Sequence, residues 1–149
     1  MFRKLVPSTV TTLVAGSMLV GPFVLPAQAQ RGYAPMPLPA SNQVSDSLTR
    51  NDLPTGQGSF ARDYVIEVKN PGRVVRINLE STVLDPMVTL LGPDGTTIAE
   101  NDDEPGGSTN SQLFALLDKA GTYTIRVQTV GEVRTGAFTL KVGYYAPVR

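Results

Sequence analysis

The densest set of residues able to do chemistry is the run Glu100-Asn101-Asp102-Asp103-Glu104, followed by the bend Pro105-Gly106-Gly107. Calcium takes about six to eight oxygens from carboxylates, amide carbonyls and backbone carbonyls on a bent loop. Glu100, Asn101, Asp102 and Asp103 are therefore candidate calcium ligands. Asp85 and Asp94 join them as candidates if the strands near 87–91 and 97–100 form a hairpin. The run lacks the regular spacing and the mid-loop glycine of an EF-hand. The competing reading is a solvated acidic turn in which Asn101 or Asp102 caps nearby backbone amides.

Other chemistry is limited by inventory. The chain has no histidine and no cysteine. Histidine- and cysteine-based triads, thiol nucleophiles and the common zinc sites therefore cannot be built. A carboxylate pair can hydrolyse glycosides, but Glu67 and Glu80 fall on the polar parity of their strands and read as solvent-facing charges. Lys69, Lys119 and Lys141 lie at turns or outward positions, which argues against a serine–lysine pair. We expect no enzyme.

The elements that would carry these residues are strands. Tyr64, Ile66 and Val68 alternate with polar or smaller neighbours, as do Val75, Ile77 and Leu79. Tyr123, Ile125 and Val127 repeat the pattern, and so do Phe138, Leu140 and Val142. Period-two alternation sets one face of a strand on a core and the other in water. Turn signals separate the runs at Asn70-Pro71-Gly72, Gly92-Pro93-Asp94-Gly95, Lys119-Ala120-Gly121 and Arg134-Thr135-Gly136. The spacing predicts an all-β fold, an antiparallel β-sandwich of about eight strands with jelly-roll character. No helical period is visible in this part of the chain.

In the segment 111–117, apolar residues occupy both parities. If Leu113, Ala115 and Leu117 face the core, Phe114 and Leu116 point outward. They form either a contact patch for a partner or a pair covered by a neighbouring element. Tyr144 and Tyr145, expected beyond the last strand, form either an aromatic platform for a sugar or peptide or a packed sheet edge. Tyr123, just after a glycine at a strand start, reads as a core aromatic whose hydroxyl bonds a turn backbone.

The two ends of the chain differ in composition. Arg3 and Lys4 precede an uncharged, mainly apolar stretch over 5–25, which ends at Ala27-Gln28-Ala29. This is the pattern of an export signal cut after a small residue, and it places the mature protein in the periplasm or outside the cell. Residues 30–43 carry Pro35, Pro37 and Pro39 and read as an extended, flexible leader. The sandwich is assigned to 44–143 and a tail to 144–149. Thirteen basic residues less the two in the signal leave eleven against thirteen acidic ones, a net charge of about −2. With no basic run, the footprint of a nucleic-acid binder is missing. No membrane span is expected once the signal is removed.

Three segments resemble a known family. The run Asp85-Pro86-Met87-Val88-Thr89-Leu90-Leu91, with Pro93-Asp94-Gly95 and Ile98-Ala99-Glu100-Asn101-Asp102-Asp103, is similar to the central signature of the bacterial pre-peptidase C-terminal domain. Leu117 with Gly121-Thr122-Tyr123-Thr124-Ile125-Arg126-Val127 resembles its second signature. Gly136-Ala137-Phe138-Thr139-Leu140 resembles its last strand, so the likeness runs over about 44–142. It implies a jelly roll that accompanies secreted peptidases, with collagen-binding relatives that hold calcium. No peptidase domain accompanies the strands here, and no aromatic collagen-binding surface can be matched. The expectation is a stand-alone, exported, non-catalytic binding or accessory module for a protein or polysaccharide partner, with calcium as a candidate stabiliser. The alternative is a structural envelope protein that associates with itself.

Overall fold

The computed structural model describes residues 33–146. The signal segment 1–29, the first leader residues and the last three residues lie outside them. Ten strands follow one another: β1 (Met36–Pro37), β2 (Gln43–Leu48), β3 (Leu53–Pro54), β4 (Phe60–Val68), β5 (Arg73–Glu80), β6 (Pro86–Leu91), β7 (Thr97–Asn101), β8 (Ser111–Leu117), β9 (Gly121–Thr129) and β10 (Gly136–Tyr145). Among the described residues there is no helix long and apolar enough to cross a membrane.

The strands form two facing sheets. One runs β1-β4-β9-β6-β7, with β3 paired to β4, and the other runs β2-β10-β5-β8. Leaving out the two-residue β1 and β3, the eight long strands counted in chain order run 2-7-4-5 in one sheet and 1-8-3-6 in the other. That order makes two Greek keys wound into a jelly roll. All long-strand pairs are antiparallel.

The four alternating sets read from the sequence fill the space between the sheets. Tyr64, Ile66 and Val68 on β4 and Tyr123, Ile125 and Val127 on β9 face Val75, Ile77 and Leu79 on β5 and Phe138, Leu140 and Val142 on β10. All are buried. Tyr64 meets Phe138 edge-to-face across the core, with ring centroids 6.3 Å apart. Burial of this apolar surface is the dominant stabilising term in a chain without disulfides.

The leader departs from expectation. Met36 and Pro37 pair in parallel with Tyr64 and Val65, the Leu38 amide donates to the Val65 carbonyl at 3.0 Å, and Leu38 packs on the core. Alternating prolines hold the backbone extended, and an edge strand tolerates proline because one side of its backbone needs no partner. The segment described from residue 33 is thus part of the sandwich. The tail also departs: Tyr144 and Tyr145 lie within β10, paired to Val75 and Val74.

Candidate binding surfaces

The acidic run lies where β7 ends and the chain crosses to β8. The hairpin expected between residues 87 and 100 does form, with Val88 opposite Asn101 and Leu91 opposite Thr97. Its geometry separates the candidates. Asp94 sits in the hairpin turn, where Gly95 has φ 79° and the Gly95 amide donates to the Gly92 carbonyl at 2.9 Å. The intervening ladder holds Asp94 on the order of 15 Å from the level of Asn101. Its carboxylate instead accepts from the Thr96 hydroxyl and amide, at 2.6 and 3.1 Å, and these bonds hold it below the usual carboxylate range. Asp85 belongs to the same end as Asn101, yet its Cβ lies against Gly131, where an added Cβ would come within 2.9 Å.

The loop satisfies itself. The Asn101 amide nitrogen donates to the carbonyls of Asp103 and Gln112 at 2.7 and 2.8 Å. The Glu104 carboxylate accepts from Ser108 and Asn110, which lower its pKa. Glu100, on β7, and Asp102 and Asp103, in the loop that follows, are all exposed. Among the described residues no three carboxylates converge on one point. As the side chains stand, the six calcium candidates do not make a calcium cage.

Phe114 and Leu116 do point outward. They are 56% and 51% exposed on the outer face of the four-stranded sheet. Register shows what surrounds them. Phe114 is opposite Arg76 and Leu116 opposite Val74 on β5, while Val74 and Arg76 are opposite Tyr145 and Gly143 on β10. Tyr145, 48% exposed, lies over Gly143, where a Cβ would meet the ring at 3.3 Å. Arg76 lies over the Phe114 ring, 5.8 Å from its centroid. Tyr145, Val74, Leu116 and Phe114 thus make one apolar strip across three strands.

Tyr144 and Tyr145 point to opposite faces, as neighbours on a strand must, so they do not form a joint platform. Tyr144 is half-buried at the end of the core, with Arg73 5.5 Å from its ring centroid. Burial raises its pKa, and the Arg73 charge opposes this. It lines a groove of about 380 Å³ together with Leu38, Pro39, Val68 and Leu117. Tyr123 is buried, and its hydroxyl donates to the Lys119 carbonyl at 3.0 Å and accepts from the Lys119 amide at 3.2 Å. The corner read from sequence is present.

Two charged clusters escaped the sequence reading. Arg62, at the inward parity of β4, binds Asp52 through Nε and Nη2 at 2.8 and 3.0 Å and meets Asp46 at 2.6 Å. The Tyr64 hydroxyl donates to the other Asp46 oxygen at 2.8 Å. Burial raises the Asp46 pKa, but hydrogen bonds from Arg62 and Tyr64 outweigh it and the net shift is downward. On the outer face of the same sheet, Asp63 of β4 is buried beneath a bidentate pair with Arg126 of β9, both bonds 2.8 Å long. A charge at an inward parity was the available signal for Arg62. Nothing local marked its partners, which come from β2 and the β2–β3 connection. Both clusters are charge-paired and structural in character.

The model of the bacterial pre-peptidase C-terminal domain matches residues 61–129. No curated protein sequence matches the chain. Among solved structures, the pre-peptidase C-terminal domain of collagenase from Bacillus anthracis superposes with a TM-score of 0.58 at 14% identity, covering 76% of this chain and 98% of that one. Aeromonas hydrophila PliG, a periplasmic lysozyme inhibitor of g-type lysozyme, superposes with a TM-score of 0.52 at 17% identity, covering 73% and 94%. At these identities the likeness speaks for the fold. The family match begins at β4 and stops before β10, whereas the resemblance in sequence runs over about 44–142. Residues 61–129, from β4 to the end of β9, are the part of the chain that matches the bacterial pre-peptidase C-terminal domain family.

Proposed function

We propose that this protein is an exported, non-catalytic binding or accessory module that recognises a protein partner in the envelope or outside the cell. The observation that carries the reading is the apolar strip of Tyr145, Val74, Leu116 and Phe114 on the outer face of the β2-β10-β5-β8 sheet. Large apolar side chains gathered on one exposed sheet face are a common mark of interaction sites. Export is supported by the charged, apolar and Ala27-Gln28-Ala29 pattern of the first residues. A protein partner is favoured over a polysaccharide because the strip is aliphatic as well as aromatic. PliG, on the same fold, inhibits a protein.

The test is a photo-crosslinking amino acid in place of Phe114 in the producing cell, with one in place of Glu67 as a control on the far sheet. A single adduct of defined mass from position 114, absent from position 67, is expected. Adducts from neither position, or the same ones from both, would sink the reading. Calcium enters only through residues 100–104. A thermal melt in excess calcium and in chelator decides it, and an unchanged midpoint retires calcium without touching the binding reading.

Self-association is the second reading, favoured by the uncharged edge strand β8. Concentration-dependent sedimentation separates it from the first.

A further inference from the structure

β8 is an edge strand, and most edge strands carry a device against pairing. At the other edges, β2 holds Asp46, β7 holds Glu100 and β1 holds Pro37. β8 reads Ser-Gln-Leu-Phe-Ala-Leu-Leu, with neither charge nor proline.

Its backbone is half open. The Gln112 amide donates to the Asp103 carbonyl at 2.9 Å, and its carbonyl accepts from Asn101 at 2.8 Å. Both groups therefore point away from β5. Backbone direction repeats every second residue in an antiparallel ladder, so the N–H and C=O groups of Phe114 and Leu116 point the same way. Among the described residues β8 has β5 as its one strand neighbour, and outside that ladder no backbone group bonds to Phe114 or Leu116. The chain thus supplies the first rung of an added strand at Gln112 and leaves the next two rungs vacant. Beside those rungs lie the two exposed apolar side chains, and a cleft of about 190 Å³ next to Leu116, lined by Ile98 among others.

Charge says what kind of strand fits. Glu100, Asp102 and Asp103 flank one end of the edge; Asp94 and Asp118 flank the other beside Lys119, while Arg73 and Arg76 stand on β5, on the side of β8 away from the free edge. An antiparallel second copy would set each acidic end against the other copy's acidic end, which is unfavourable.

We propose that the free edge of β8 takes up, as an added strand, an extended segment of a partner protein with alternating apolar residues and flanking lysine or arginine. This rests on the binding-module reading and specifies its partner. Backbone bonds to Phe114 and Leu116 give the register, and apolar contacts with the two side chains on one face give selectivity.

The probe is a blocked hexapeptide, Lys-Val-Thr-Val-Thr-Lys, titrated into the 15N-labelled protein. The amides of Phe114 and Leu116 should shift and become protected from solvent exchange. N-methylation of one alternate set of peptide amides should weaken binding about fivefold or more per blocked rung, and methylation of the other set should have little effect. Leu116→Lys, an exposed position that leaves the spectrum of the folded chain intact, should remove binding of the basic peptide. Silence at both amides at millimolar peptide, equal effects of the two methylated sets, or binding that survives Leu116→Lys overturns the proposal. Protection at these amides that grows with protein concentration alone also overturns it, in favour of a second copy. Adducts at position 114 together with silent edge amides would leave the binding reading standing and remove strand addition.

Discussion

Arg62 offers a quantitative test of the packing. Its position on β4 has the inward parity of Tyr64 and Ile66, and the cation is accommodated because two carboxylates meet it. The Asp52 side chain is 9% exposed and binds in the bidentate manner, whereas that of Asp46 is 30% exposed. Asp52 is further tied by the Thr49 amide and hydroxyl at 2.6 and 2.9 Å. Arg62→Met keeps much of the volume and removes the charge. Breaking a buried pair costs about 3–5 kcal/mol. This cluster is partly wet, so the expected loss is nearer 2–3 kcal/mol. Double-mutant cycles should divide it unequally, with about 2 kcal/mol of coupling to Asp52, tested by Asp52→Asn, and about 1 kcal/mol to Asp46, tested by Asp46→Asn. The assay is urea unfolding with an unchanged slope, checked by melting, where each kcal/mol moves the midpoint by about 3–6 °C. A loss for Arg62→Met below about 0.5 kcal/mol, or stronger coupling to Asp46 than to Asp52, would refute the argument from burial.

Tyr123→Phe removes a hydroxyl that makes two hydrogen bonds to Lys119 from a buried ring. It should cost about 1–2 kcal/mol in urea unfolding, and a neutral result would mean that water replaces the corner. The acid limb of stability should depend on Asp46, whose folded pKa is depressed. A depressed carboxylate stabilises the fold above its unfolded pKa of about 3.9 and loses that contribution as pH falls through the lower folded value. Asp46→Asn should therefore lower stability at neutral pH and flatten the decline below about pH 4. Parallel stability–pH curves for the two proteins would contradict it.

The two remaining surfaces differ in how they can be perturbed. Phe114 and Leu116 are exposed, so changing them bears on partners more than on folding. The acidic loop is tied into the fold through Asn101 and Gln112, so altering it also disturbs the edge of β8. Substitutions at Asp102 and Asp103, whose carboxylates are free of those bonds, separate the two effects.

Period-two alternation was enough to place the strands of the core, the inward set on each and the outward direction of Phe114 and Leu116. Side-chain direction along a strand is a local property of the backbone. The same holds for the Tyr123 corner, whose partner is four residues away. Absence of histidine and cysteine was equally plain, and it removed whole classes of chemistry. Tertiary structure decided everything that depends on which strands become neighbours. It paired Arg62 with carboxylates from β2 and the β2–β3 connection, and it carried Asp94 to the far end of the hairpin from Asn101. It laid the prolines of the leader along β4 and put Tyr144 and Tyr145 on opposite faces of a strand longer than its alternation suggested. It also left β8 at an edge with two rungs open. Pairing and edges are set by contacts between residues far apart in the chain, and their chemistry is not written in the spacing of neighbours.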